Sequence, residues 1–433
     1  MISKENIYAF AYFCAAYHNF QSLNLPLFIA KRIAQNKQAS FSKFVLRLAT
    51  IATALSVTVM VVAVCVVLGF KTKIRDKMFV FWGHAQVTLF QPDPSNMVGD
   101  APFIKDEGLI QKIRKTEGVT AVYPYVLKAA IIKAEKGLEG LKLKGIEPGY
   151  PLESSDAIHF EGQPISFSRE SYSNDIILSQ ATLDRLELSI GNAVIVYFFR
   201  ADQSAPIVRK LNIVGTYHTG MEEVDKTFAF CDAQLLRSVN GWSNLDISAM
   251  QIAVKDYRKA EDIAHHIYKE HLNPPQSIAT IKDIYPFIFS WLDFQNVNAA
   301  LILIIMAVVA AINMATGLLI YILERTSMIG ILKTLGMSHS NIQRIFLYQA
   351  AVIAIKGIIW GNAIGLALCL IQQYYPILQL DETVYYMKAA PVLIDWPSIL
   401  LIDLGTFVFC VLLMMLPALI VRSINIVQAL RFK

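Results

Sequence analysis

The sequence predicts an α-helical membrane protein with four transmembrane helices plus a large α+β extracytoplasmic domain. Three observations predict it. Hydrophobic residues make up 55% of the 433 and charged residues 17%, against about 25% charged in soluble domains, and the mean hydropathy is +0.45. The apolar residues gather into four runs of the length a bilayer requires. Between the first two runs lies a polar stretch, 71–294, long enough to bury a core of its own.

A hydrocarbon core of about 30 Å needs about 20 helical residues. The first run, 44–70, contains ATIATALSVTVMVVAVCVVLGF, and the second, 295–323, contains AALILIIMAVVAAINMATGLLIYIL. The third covers 346–372 and the fourth 397–421. The first is too long, and begins too far inside the chain, to be a cleaved signal peptide, so it is expected to remain as a span. Flanking Lys and Arg set the orientation. Lys31, Arg32, Lys37, Lys43 and Arg47 precede the first run, Arg325, Lys333 and Arg344 lie between the second and third, and Arg422, Arg431 and Lys433 follow the fourth. The connection 373–396 instead carries Asp381, Glu382 and Asp395 against Lys388. Segments 1–43, 324–345 and 422–433 are therefore expected in the cytoplasm, and 71–294 and 373–396 on the other side.

Asn313, Lys356 and Asp403 interrupt the apolar runs. Such groups are often functional, but a snorkelling lysine and an aspartate near a helix end favour a structural reading. Gly357, Gly361 and Gly365 recur every fourth residue of the third run; small residues at that period let helix backbones approach within a bundle or a dimer. Ahead of the first run, LNLPLFIAKRIAQNK reads as an interfacial helix facing membrane lipids, with Pro26 in its first turn. No assignment follows for residues 1–22.

The polar stretch alternates short strands and helices. Two strands flank Glu135-Lys136-Gly137, a tight hairpin. Ser179 reads as the N-cap of SQATLDRLEL, and Gly191-Asn192 leads into AVIVYFF, joined to KLNIVGTY by a second hairpin across 200–209. YRKAEDIAHHIYKEHL is an amphipathic helix and SIATIKDI a strand, giving a mixed α+β domain that could divide into two subdomains.

The patterns exclude several functions. A net charge of +5 gives nucleic-acid binding little support. Cys14, Cys65, Cys231, Cys369 and Cys410 have no ligand spacing and read as packing residues. His265, His266 and His271 share one helix, but His265 and His266 point to different faces and no carboxylate cage is evident, so no metal site is expected. No P-loop, G-x-S-x-G or H-E-x-x-H occurs, so no catalytic residues and no cofactor are expected, and the energy for any transport must come from a partner.

Between the second and third runs the chain reads ERTSMIGILKTLGMSHSNIQRIFLYQA, 324–350. Ile329, Ile331, Leu332 and Leu335 supply an apolar face, Gly336 ends the helix and Ser338 caps the next. A short helix of this kind is either a docking element for a soluble partner or a plain interfacial helix.

The arrangement resembles the MacB/FtsX-type permeases, and most closely the lipoprotein-releasing LolC/LolE type. The resemblance rests on PLFIAKRI before the first run, VVLGF at its end, LKGIEP at 143–148 and GTYHTGMEEVD at 215–225. It rests also on the IGILKTLGM core of 324–336, Pro391-Val392, and INIVQALRF at the C-terminus. The resemblance implies a MacB-like periplasmic domain and an inner-membrane permease subunit that pairs with a second permease, itself or a paralogue. It implies docking of a separate ABC ATPase on Glu324, Ile329, Gly330, Ile331, Leu332, Lys333, Leu335 and Gly336. It also implies extraction of lipoproteins for a periplasmic carrier, through a cavity formed chiefly by the first two spans. Two departures stand out. Met328 occupies a position often acidic in the family. The loop 200–208, with Ala205 and Pro206 as the candidate carrier contact, is short for the hook some relatives carry, and Pro206 is equally well read as a turn proline. A MacB-like efflux permease, without its fused ATPase, and an FtsX-like signalling subunit are the alternatives.

Overall fold

The computed structural model describes residues 25–35, 41–90, 101–152, 158–168, 171–200 and 205–418. The N-terminal 1–22, loop residues 201–204, and the C-terminal tail with INIVQALRF lie outside them.

In chain order, helix α1 (Leu25–Gln35) is followed by α2 (Phe41–Trp82), strand β1 (Ala85–Leu89), β2 (Phe103–Ile104), α3 (Glu107–Lys115), β3 (Val119–Ala134) and β4 (Gly137–Ile146). Next come β5 (His159–Gly162), β6 (Asp175–Ser179), α4 (Gln180–Leu186), β7 (Ala193–Phe198), β8 (Ile207–His218), α5 (Glu222–Asp225), β9 (Phe228–Asp232) and α6 (Ala233–Asn240). Then follow β10 (Asp246–Ile247), β11 (Ala249–Val254), α7 (Ala260–His271), β12 (Gln276–Thr280), α8 (Ile281–Ile284) and α9 (Pro286–Glu324). The chain continues through α10 (Thr326–Thr334), α11 (His339–Tyr374), α12 (Glu382–Tyr385) and α13 (Trp396–Ala418).

Four helices among the described residues, α2, α9, α11 and α13, are long and apolar enough to cross a membrane. The first three outrun the apolar stretches that announce them. At 42 residues, α2 is about 63 Å long at 1.5 Å per residue, about twice a hydrocarbon core. Nothing in FKTKIRDKMFVFW breaks the helix after Gly69, so it continues although charges replace the apolar run. Pro286 stands at the first position of α9, where its missing N–H costs no helical bond.

The chain forms two compact parts, one made of 1–69, 294–376 and 391–433, the other of 70–293 with 377–390. Within the first, the glycine seam of α11 faces α2 of the same chain. A Cβ on Gly357 would sit 2.7 Å from Thr53 Cγ2, on Gly361 2.6 Å from Val57 Cβ, and on Gly365 3.2 Å from Val61 Cβ. Thr58 Oγ1 donates to the Gly361 carbonyl at 3.1 Å. Helix α1 is tied to α11 by Gln349, whose amide donates to the Ala30 carbonyl at 2.7 Å. Asn313 and Lys356 are exposed, while Asp403 lies two turns inside α13 and accepts from Asn362 Nδ2 at 2.7 Å. Cys65, Cys369 and Cys410 are buried free thiols here, as is Cys231 in the second part.

The second part, the head, has two cores threaded by one strand. Residues 119–125 of β3 pair with β11, which continues through β1 to β12, all antiparallel. Helices α3 and α7 cover that sheet with Leu109, Ile110, Ile113, Ile263 and Ile267. Residues 126–134 of β3 pair instead with β4 and β7. The order β3-β4-β9-β6-β8-β7 returns to β3, so six strands close into a barrel whose interior is filled by residues such as Ile132, Leu143, Ile176, Phe198 and Leu211. Closure removes edges that would invite pairing with other chains. Ser179 accepts from Thr182 N at the start of α4, and the β3–β4 hairpin turns on Glu135-Lys136, with Ala134 opposite Gly137.

Three expectations need correction. The strand drawn through SIATIKDI ends at Thr280, which caps α8 together with Asp283; the local capping box outweighs the β pattern of the isoleucines. Strand β8 begins at Ile207, two residues before the end of the expected turn. The connection 373–396 is no bare loop, because 377–390 folds into the head.

Candidate docking elbow

The elbow between α9 and α11 is built by two local signals. The last turn of α10 closes with Gly336 N donating to Lys333 O at 3.1 Å and Met337 N to Leu332 O at 3.0 Å, a Schellman pair requiring the left-handed φ of +82° at Gly336. Ser338 then accepts from Asn341 N and starts α11. One residue separates the two caps, so the chain reverses without slack.

The apolar residues of α10 divide into two faces. Ile329 is fully buried and, with Leu332, Met328 and Met337, packs on Tyr321, Ile322, Ile342 and Phe346. Tyr321 and Phe346 meet edge to face at 5.9 Å. Gly330 is buried. Ile331 (51% exposed) and Leu335 (78%) project into solvent, four residues apart and thus on one side of the helix. Glu324 and Gly336 are also exposed and Lys333 half-buried. Sequence periodicity groups all four apolar residues on one face; the packing of α10 against α9 and α11 splits them. Met328 belongs to the packed side.

Of the remaining candidates, Gly357, Gly361 and Gly365 line the α2–α11 seam. Ala205 and Pro206 are exposed ahead of β8, next to the exposed Phe199 and Val208. Among the described residues no group of three His, Cys, Asp or Glu side chains could hold a metal ion.

A site that sequence reasoning missed lies in the head. Lys144, in LKGIEP, is fully buried. Its ammonium donates to Phe81 O (2.6 Å), Tyr150 Oη (2.8 Å) and Gln251 Oε1 (2.9 Å), with the rings of Phe81, Trp82, Tyr125 and Tyr150 within 5.7 Å. Burial pushes this amine well below the ordinary lysine range. The same motif supplies Glu147, bridging Lys105 (2.7 Å) and Arg237 (2.5 Å).

Residues 300–426 match the FtsX-like permease C-terminal family. The lipoprotein-releasing system transmembrane protein LolC of Xylella fastidiosa (strain 9a5c) is 22% identical over 428 residues, covering 94% of this chain and 99% of that one. LolE of Haemophilus influenzae is 19% identical over 411 residues, covering 92% and 96%. The periplasmic region of MacB from Actinobacillus actinomycetemcomitans aligns with 47% of the chain at 10% identity and a TM-score of 0.33, too low to bear on the fold. Apolar helices of spanning length, the FtsX-like region 300–426 and the LolC and LolE relatives support a permease of the ABC-transporter class. Within that class the chain is similar to LolC and LolE over most of its length and to the FtsX-like permeases in residues 300–426.

Proposed function

We propose that this chain is the permease subunit of an inner-membrane ABC system that extracts lipoproteins, using ATP hydrolysed by a separate subunit. The observation that carries the proposal is the elbow: a short capped helix, rigid on its Ile329 side, that offers Ile331 and Leu335 to a partner. Its rigidity lets a push from an ATPase pass into α9 rather than being absorbed by a loose loop. The head then converts that push into motion at the outer face. Work is needed because each methylene of an acyl chain holds a lipoprotein in the bilayer by about 0.8 kcal/mol.

Support for the sidedness comes from 377–390, which shares the head with 70–293. On this reading the connection after α11 lies on the same side as the connection after α2, in keeping with four crossings. The basic residues beside the elbow assign the opposite side to the cytoplasm. A second permease subunit completes the assembly, and Ala205 and Pro206 with Phe199 and Val208 form the edge offered to a periplasmic carrier.

The test is depletion of the protein followed by fractionation. Retention of lipoproteins in the inner membrane, and co-purification of an ATPase through the elbow, is the expected result. Unchanged lipoprotein sorting with altered cell-wall turnover would overturn it in favour of a signalling role.

A further inference from the structure

GTYHTGMEEVD and the connection between the third and fourth long helices meet in the head, and nothing in the proposed transport cycle uses their contact. Residues 377–390 fold back on themselves: Leu380 N donates to Lys388 O and Ala390 N to Leu378 O, both at 3.0 Å, and Gln379 bridges Ala389. This strap rests on the turn after β8. His218 Nε2 lies 2.6 Å from Glu382 Oε1 on the strap, and His218 Nδ1 lies 3.3 Å from Asp225 Oδ2 on α5. Both ring nitrogens donate at once only in the imidazolium. Asp225 is held ready for it, 4% exposed and accepting from Thr219 Oγ1 at 2.7 Å and Gly220 N at 3.0 Å. Gly220 has φ +73°, and a Cβ there would lie 2.8 Å from Tyr386 O and 2.9 Å from Glu382 Oε1. The turn is therefore shaped to admit the strap.

We propose that residues 377–390 are a proton-sensitive latch: the His218 imidazolium, shared between Asp225 and Glu382, fastens the strap to the head, and loss of its proton lets the strap go.

The surrounding charges are mixed, and the two carboxylates in contact are the nearest. Lys388 sits 3.7 Å from the other oxygen of Glu382. From α2, Lys77 donates to Tyr386 O at 2.6 Å, with Lys73 one turn earlier. Glu222 and Glu223 open α5, Glu222 being paired with Lys226. Across the β5–β8 pairing His218 faces His159, itself on Glu161 at 2.9 Å. The hydrogen bond to Asp225, then that to Glu382, raise His218 above its ordinary 6.5 in spite of burial. The closed latch thus holds a proton that the open one has lost. It is complete below pH 6.5 and weakens about tenfold per pH unit up to the raised value, then levels off.

The inference concerns this chain alone and stands whatever the cargo. The test places nitroxide labels at Leu378→Cys and Gln163→Cys in the full-length protein in lipid nanodiscs and reads their separation by pulsed EPR between pH 6 and pH 9. A single separation at pH 6, joined by a longer one as the pH rises, is expected. His218→Gln removes the pH response, and Glu382→Gln moves its midpoint down. An unchanging distribution in the parent, or a parental pH response in His218→Gln, overturns the latch. Should His218→Gln fail to accumulate, an unshifted midpoint in Glu382→Gln does so.

Discussion

The ammonium of Lys144 lies 2.6 Å from the carbonyl oxygen of Phe81, one residue before the end of α2. A donor there completes a carbonyl that the end of the helix leaves unpaired. Phe81 itself packs edge to face on Trp82, Phe228 and Phe230, with centroids 4.7–5.5 Å away.

Replacing Lys144 by Met keeps the volume but removes the donor shared by Phe81 O, Tyr150 Oη and Gln251 Oε1, and leaves the one Tyr150 hydroxyl proton to serve both Phe81 O and Gln251 Oε1. The expected loss is about 1–3 kcal/mol, seen as a lower thermal midpoint of the full-length protein in detergent. Lys142→Met, at an exposed site two residues earlier on the same strand face, should leave the midpoint unchanged. Equal midpoints for the two variants would refute the pin.

Gly361→Leu should separate α2 from α11. Even a Cβ would meet Val57 at 2.6 Å and the Ala54 carbonyl at 2.7 Å, so the smaller change Gly361→Ala already costs about 1–3 kcal/mol of overpacking. Faster thermal inactivation of the detergent-solubilised protein, worse for Leu than for Ala, is the expected outcome.

The two faces of α10 predict two phenotypes. Leu335→Asp, 78% exposed, should leave accumulation and melting intact while abolishing co-purification of the ATPase. Leu332→Asp puts a carboxylate against Ile342 and Phe346 and should lower the amount of folded protein as well. Normal ATPase association in Leu335→Asp would remove the docking role from this face.

Glu147 predicts an acid-side dependence. Burial works against its carboxylate, but hydrogen bonds from Lys105 and Arg237 outweigh burial and hold it below the usual range. Because the folded value lies below the unfolded one, this stabilisation is present above about pH 4.5 and is lost as pH falls through the folded value. Glu147→Gln should destabilise by about 1.5–3 kcal/mol at neutral pH and by progressively less in acid. A difference from the parent that stays constant down to pH 3 would contradict this.

The sequence by itself determined what depends on neighbours along the chain. Apolar runs announced four long helices, Ser179 and Ser338 announced the starts of two others, Glu135-Lys136 announced a hairpin, and Gly336 a helix end, because caps and turns are satisfied by atoms a few residues away. Only the tertiary structure decided which of two like residues is covered. Lys142 and Lys144 share a strand face, yet one is exposed and the other buried, because the end of α2 packs over Lys144. Ile329 and Ile331 read alike until α9 and α11 bury the first. The barrel closes through the pairing of β7 with β3, which no local pattern announces, and the strap 377–390 joins a domain whose nearest other residue, Asp293, is more than 80 positions away in the chain. Contacts of that range depend on which surfaces meet, and a one-dimensional pattern records only which residues are available to meet.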